Sequence, residues 1–355
     1  MLARLQQAIT LGAIAFAALW ALLCWRAGHA GWALAGALLI LFGYALFLAV
    51  EFLLLHRINR HDPAPRASAA QLLSAWWGEV RSAPLVFCWR QPFRSHAFPD
   101  RTGPGMAGRR GVVLVHGFVC NRGLWNRWLV RLHALGVPVV AVNLEPVFGS
   151  IEDYAVHIEQ AVRALERDTG LPPVLVGHSM GGLALRHWWA DAKDDTRVHH
   201  AITIGSPHRG TWLARFAFSL NGRQMHLASE WHQALQTRET PQRSARFTCF
   251  YSHCDNIVFP ASTATLPGAD NRHLPAVAHV HMADAPEPFE ELLRWLNGAP
   301  PAAGYRGHPP KGALRRLGAA RRGLSRSKRA RRAGRIRPRS RPRWRCDCAR
   351  QRTPA

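Results

Sequence analysis

Two stretches near the start of the chain are apolar without interruption. Residues 8–25 run 18 positions, and residues 31–50 another 20, with no charged side chain, enough at about 1.5 Å per residue to cross the ~30 Å hydrocarbon core of a bilayer. Neither run has a polar face. They predict two transmembrane helices joined by residues 26–30, a tight hairpin with Trp25 and Trp32 at the level of an aromatic belt. The competing assignment is a cleavable signal peptide, with Arg4 as its basic start and a cut near Ala30. A second run of equal length argues against it. Arg4 precedes the hairpin, Arg26 lies in its turn, and Arg57, Arg60 and Arg66 follow it, so the positive-inside rule puts both ends in the cytoplasm. Glu51, near the end of the second run, leaves the point of exit from lipid open.

After a polar, Pro-containing stretch at residues 61–66 the pattern changes. Residues 71–80 carry apolar positions at helical spacing, and residues 84–93 fit a first strand. From residue 111 onward the alternation is regular. Short apolar runs at 111–116, 137–144, 173–177, 200–205 and 247–252 predict strands covered on both faces. Between and after them, residues 151–168, 180–190 and 286–297 predict helices, the first with Ile151, Tyr154, Ile158, Val162 and Leu165 along one side. Strands alternating with helices predict an α/β fold, a mostly parallel sheet wrapped on both faces. The expected organisation is a membrane anchor over 1–60, a linker and domain entry over 61–107, an α/β body over 108–300 and a tail over 301–355.

Composition sharpens that division. The 355 residues include 46 Lys+Arg against 22 Asp+Glu, a net charge of +24, yet 48% are hydrophobic, with 14 Trp and 15 Phe, far too apolar for a disordered chain. A charge of +24 invites a nucleic-acid partner. Its distribution does not support one for the folded body: residues 301–355 hold 19 Lys+Arg and one acid, Asp347, so +18 belongs to the tail and +6 to the rest. The tail lacks Val, Phe, Met and Glu, cannot bury a core and is expected to be disordered. Three origins fit it: a polybasic segment for anionic lipid, an Arg-rich arm for nucleic acid, or an out-of-frame read of a GC-rich gene, which is the favoured one. The seven Cys residues show no zinc or disulfide spacing.

Candidate chemistry begins at Gly177-His178-Ser179-Met180-Gly181, where an apolar strand gives way to a helix. A Gly-x-Ser-x-Gly turn in that context exposes a Ser hydroxyl at a helix N-terminus. A Ser hydroxyl is a poor nucleophile near neutral pH unless an imidazole accepts its proton, and the imidazole needs an anion to hold its tautomer. Asp255 lies just beyond the fifth strand run, and His279 precedes the last helix within Ala276-Val-Ala-His-Val280. His281 is the rival base; Asp191, Asp194 and Asp195 are rival acids. Backbone N–H groups of Phe118, after His116-Gly117, and of Met180 are the candidate oxyanion donors. Trp212, Leu213, Phe216, Phe218, Met225, Leu227 and Trp231, between the fourth and fifth strands, either bind an acyl chain beside Ser179 or are buried faces of covering helices.

Residues 108–297 resemble the α/β-hydrolase superfamily, in its bacterial lipase- and esterase-like branch. The residues that carry the resemblance are Val113-Leu-Val-His-Gly-Phe118, Gly177-His-Ser-Met-Gly-Gly-Leu183, Thr203-Ile-Gly-Ser-Pro-His-Arg-Gly-Thr211 and the segments around Asp255 and His279. The resemblance implies hydrolysis of an acyl ester or lipid substrate through an acyl-serine intermediate, with no organic cofactor and no metal site recognisable here, at a bacterial inner membrane. A thioesterase, amidase or acyltransferase would use the same triad. The alternative of another class is a non-catalytic hydrolase-fold scaffold on the membrane.

Overall fold

The computed structural model describes residues 1–192 and 194–298. The Arg-rich tail, and with it Cys346 and Cys348, lies outside the described residues. Helix α1 (Leu2–Arg26) turns back into α2 (Ala30–Phe42), which bends at Gly43 into α3 (Tyr44–Ile58). Helix α1 is long and apolar enough to cross a membrane, and α2 with α3 would make a second span bent by 52°. Trp20 Nε1 donates to Trp32 O at 2.9 Å and its ring lies over Gly36, which joins α1 to α2.

The expected single helix over residues 31–50 is therefore broken. The break tilts α3 onto α4 (Ala69–Pro84), where Tyr44 Oη donates to Val80 O at 2.8 Å and Trp76 Nε1 to Ala45 O at 3.0 Å. Ser68 caps α4, with Gln71 completing a reciprocal capping box. The expected strand over residues 84–93 is instead a π-helical turn, Leu85–Arg90, followed by α5 (Gln91–Arg94). Pro84 has no N–H to donate, and the ladder widens where it sits. Val86 and Arg90, four apart, are both buried, a helical and not an alternating pattern.

The body alternates strand and helix, with one helix, α6, beyond those expected: β1 (Val112–Val115), α6 (Asn126–Ala134), β2 (Val139–Ala141), α7 (Ala155–Thr169), β3 (Val174–His178), α8 (Met180–Asp191) and β4 (His200–Ile204). Three short helices follow, α9 (Leu220–Gln224), α10 (Glu230–Thr237) and α11 (Pro241–Ser244). The chain ends its described part with β5 (Phe247–Tyr251), β6 (Asp270–His273), α12 (His279–Met282) and α13 (Pro286–Leu296). Helix α6 and strand β6 were not legible beforehand: β6 reads Asp-Asn-Arg-His, with no apolar run.

Among the described residues the six strands form one parallel sheet in the order β2-β1-β3-β4-β5-β6. Its two faces are separate cores. Val113 and Val115 face α7 and α8, while Val112 and Leu114 face α6 and α13, the period of two that a strand imposes. A third apolar cluster joins α3 and α4, through Phe52, Leu55 and Ala75, to Cys254, Phe259 and Ala278 of the sheet's loops. Residues 61–66 are docked there and do not span as a free linker. Asp62 accepts from Ser262 N at 3.0 Å, and Pro65 O pairs with His253 Nδ1 at 3.1 Å.

Candidate active site

Strand β3 ends at His178 and α8 starts at Met180, so Ser179 makes the whole turn between them. Its backbone stands at φ 54°, ψ −127°, a region costly for a residue with a side chain and concentrated at functional sites. The turn survives because its neighbours are small: a Cβ on Gly181 would lie 2.4 Å from Val115 O and 2.6 Å from His116 O. Val119, two residues beyond Gly117, also has a positive φ of 52°, an outlier for a β-branched residue that nothing in the sequence announces.

Asp255 and His279 meet where the loops leaving β5 and β6 converge. His279 Nδ1 lies 2.9 Å from both Asp255 carboxylate oxygens. Asp255 is fully buried, and its Oδ1 also accepts from Ile257 N at 2.9 Å and Val258 N at 2.8 Å. These donors orient the carboxylate so that it fixes the imidazole's tautomer, with the proton on Nδ1 and Nε2 as the basic nitrogen. Burial acts to lower the His279 pKa, but the Asp255 charge, the hydrogen bond to it and the Glu79 and Glu51 charges prevail and raise it. Ser179 and His279 line one cavity. Among the described residues Ser179 Oγ has no hydrogen-bond partner, and such contacts commonly tighten only with substrate bound.

Of the two oxyanion candidates, Phe118 lines the same cavity and Met180 follows Ser179 on the turn. Gly117 approaches the elbow so closely that a Cβ there would lie 2.7 Å from Ser179 Cβ, which brings the Phe118 backbone alongside. Neither Phe118 N–H nor Met180 N–H is used by another protein group among the described residues. His116 braces this loop. Its Nε2 accepts from Leu144 N at 3.0 Å, so Nδ1 carries the proton and donates to Gly117 O at 2.9 Å. Burial pushes its pKa down to about 4. His178, buried with its ring 4.7 Å from that of His279, pairs with His279 O at 3.1 Å and is pushed down to about 3 by burial and the His279 charge.

The rivals fall elsewhere. The His281 ring packs against Gly78 of α4, away from the cavity lined by Ser179. Asp191 pairs with Arg238, Asp195 with Arg243, and Asp194 caps the turn at Thr196. The aromatic connection between β4 and β5 does not reach the cavity. Phe216 and Phe218 are 60% and 93% exposed, and none of the seven apolar residues singled out there is part of its wall.

Three further residues join the site without having been candidates for it, though Glu51 stood out as a charge at the end of an apolar run. Glu79 of α4, 2% exposed, accepts from the backbone of Val280 and His281; Glu51 of α3, 5% exposed, accepts from Asn256 Nδ2 at 2.7 Å. Asn256 Oδ1 in turn accepts from His279 N at 3.2 Å. Helix α3, from the stretch expected to anchor the protein, and α4, from the expected domain entry, thus hold the loops of the Asp255–His279 pair. Among the described residues no group of three or more His, Cys, Asp or Glu is placed to bind a metal ion.

A model described as the alpha/beta hydrolase family matches residues 112–350. No curated protein matches the sequence. Similar solved structures include lipase B of Aspergillus fumigatus, 22% identical with a TM-score of 0.49, over 56% of this chain and 55% of that one. The mature lipase BlEst2 of Bacillus licheniformis is 18% identical with a TM-score of 0.47, over 55% and 95% of the two chains. A monoacylglycerol lipase of Paleococcus ferrophilus is 17% identical with a TM-score of 0.40, over 55% and 97%. The chain spans about half the length of the Aspergillus protein that it matches.

Proposed function

The chain belongs to the alpha/beta hydrolase family, and on that footing we propose that it is a membrane-anchored serine hydrolase that cleaves carboxylic esters through an acyl-serine intermediate. The observation that carries this is the buried Asp255–His279 pair, 2.9 Å apart, opening on the same cavity as a Ser179 held at φ 54°. Residues 108–300 are the catalytic domain and residues 1–60 the anchor, with the catalytic domain on the cytoplasmic side.

In this mechanism Ser179 Oγ attacks the acyl carbon as His279 Nε2 takes its proton. The carbonyl oxygen, now negative, is met by the N–H groups of Phe118 and Met180, and each such donor is worth about 10²–10³ in kcat. Collapse breaks the ester bond, and the alcohol leaves with the proton from His279. Water, deprotonated by the same imidazole, attacks the acyl-serine; its proton returns to Ser179 Oγ as the acid departs. Asp255 holds the imidazolium that forms at each step.

A fluorophosphonate probe tests the assignment. The full-length protein is expected to be labelled and Ser179→Ala not; equal labelling of both would remove Ser179 from the nucleophile's role. For topology, a reporter fused after residue 298 that is active only outside the cytoplasm would reverse the orientation.

A further inference from the structure

The cavity beside Ser179 holds about 700 Å³, within the range of about 300–1,000 Å³ usual for small-molecule sites. One end carries the chemistry, with Ser179, His279 and Phe118. The rest of its wall is almost entirely hydrocarbon, and much of it comes from the N-terminal helices, including Ile14 of α1 and Phe47 and Leu48 of α3; Phe87 and Val280 line it too. The carboxylates at its edge, Glu51 and Glu79, are already engaged by Asn256 and by the backbone of Val280 and His281. Among the described residues no Lys or Arg lines it, so it offers no guanidinium or ammonium to pair with a phosphate head group. Its outer lining, Ile9, Phe42 and Phe47, is 62%, 56% and 65% exposed. It belongs with the exposed apolar side chains of α1, α2 and α3, in helices long and apolar enough for a bilayer.

We propose that this cavity is the acyl-chain site for a long-chain ester drawn from the membrane, and that α1 and α3 are its wall as well as the anchor. The proposal rests on Ser179 being the nucleophile. The chain enters from the bilayer between α1 and α3, the carbonyl reaches Ser179 at the polar end, and the head group stays outside. A water-soluble short-chain ester would leave most of the wall uncovered.

Full-length protein in detergent, given umbelliferyl esters of graded acyl length in mixed micelles, tests this. We expect turnover to favour long over short chains. Filling the wall from α1 with Ala13→Trp should lower the ratio of C16 to C4 turnover at least tenfold. A ratio that does not move, or a parent enzyme that prefers C4, overturns the acyl site. Failure of the nucleophile reading is separable, because it appears as a parent not labelled by fluorophosphonate. In that event Ser179→Ala protein exposed to a photoreactive palmitate decides: cross-links at Phe87 or Val280, displaced by palmitate and not by butyrate, keep the site. Labelling that neither ligand displaces is bulk lipid contact and overturns it.

Discussion

The Glu79 carboxylate accepts hydrogen bonds from Val280 N at 3.0 and 3.1 Å, one residue after His279. With the bond from His281 N at 3.0 Å it receives the free N–H groups at the start of α12, the turn that carries the imidazole. Burial raises its pKa and the two backbone donors oppose that rise. Its negative charge is one of the forces that raise the His279 pKa. Glu79→Gln is therefore expected to move the acid limb of kcat/KM to lower pH, since the imidazolium loses a stabilising neighbour. An unmoved limb would show that the carboxyl is protonated at working pH. Glu79→Ala, which leaves buried N–H groups without an acceptor, should cost about 3 kcal/mol of stability, read as a lower Tm.

In the proposed mechanism His279 must be neutral to accept the Ser179 proton, and its surroundings raise its pKa from the ordinary 6.5. Activity on a p-nitrophenyl ester should rise with pH through a midpoint above that value. A midpoint at or below 6.5 would mean that the charges around His279 do not prevail over its burial.

His279→Ala is expected to abolish ester hydrolysis, whereas His281→Ala should retain most of it, because the His281 ring lies against Gly78. The reverse result would transfer the base's role to His281.

Asp255→Asn keeps the volume but presents the imidazole with an amide that can favour the wrong tautomer. Turnover should fall on the order of 10³–10⁴-fold while Tm changes far less than it would for a cavity. Steady-state kinetics beside a thermal melt separates the two; a loss below tenfold would argue that Asp255 is not the orienting acid.

Gly205, at the end of β4, has φ +56°, and a Cβ there would lie 2.9 Å from Asp255 Oδ2 and 3.2 Å from His279 Nδ1. Gly205→Ala should force the pair apart and lower kcat at least tenfold, through both the contact and the left-handed backbone. Unchanged kinetics would mean that the loops yield without moving the pair.

Much of the body was legible in the chain because its signals are local. The runs at 111–116, 173–177 and 200–205 are apolar on both faces, as a parallel strand between two helical layers must be. The Gly-x-Ser-x-Gly turn lies within five residues, and its φ of 54° is a property of that turn. Strand β6 was missed because Asp-Asn-Arg-His is polar: Arg272 is held by the Glu291 and Asp270 carboxylates in place of an apolar contact. Residues 84–93 misled because a short apolar run fits strand and helix alike.

The sequence by itself determined the apolar N-terminal runs, the alternation of strand and helix, the elbow at Ser179 and the chain order of Asp255 and His279, since each is written in neighbouring residues. Only the tertiary structure brought His279, and not His281, against Asp255, and only it seated α3 and α4 on the loops that carry the pair. The contact of Glu79 with Val280 spans 201 positions and that of Glu51 with Asn256 spans 205. Separations of that size leave no periodicity in the chain. They arise when apolar faces such as Phe52–Leu55 and Ala75 find Cys254, Phe259 and Ala278, and the carboxylates buried with them must find donors.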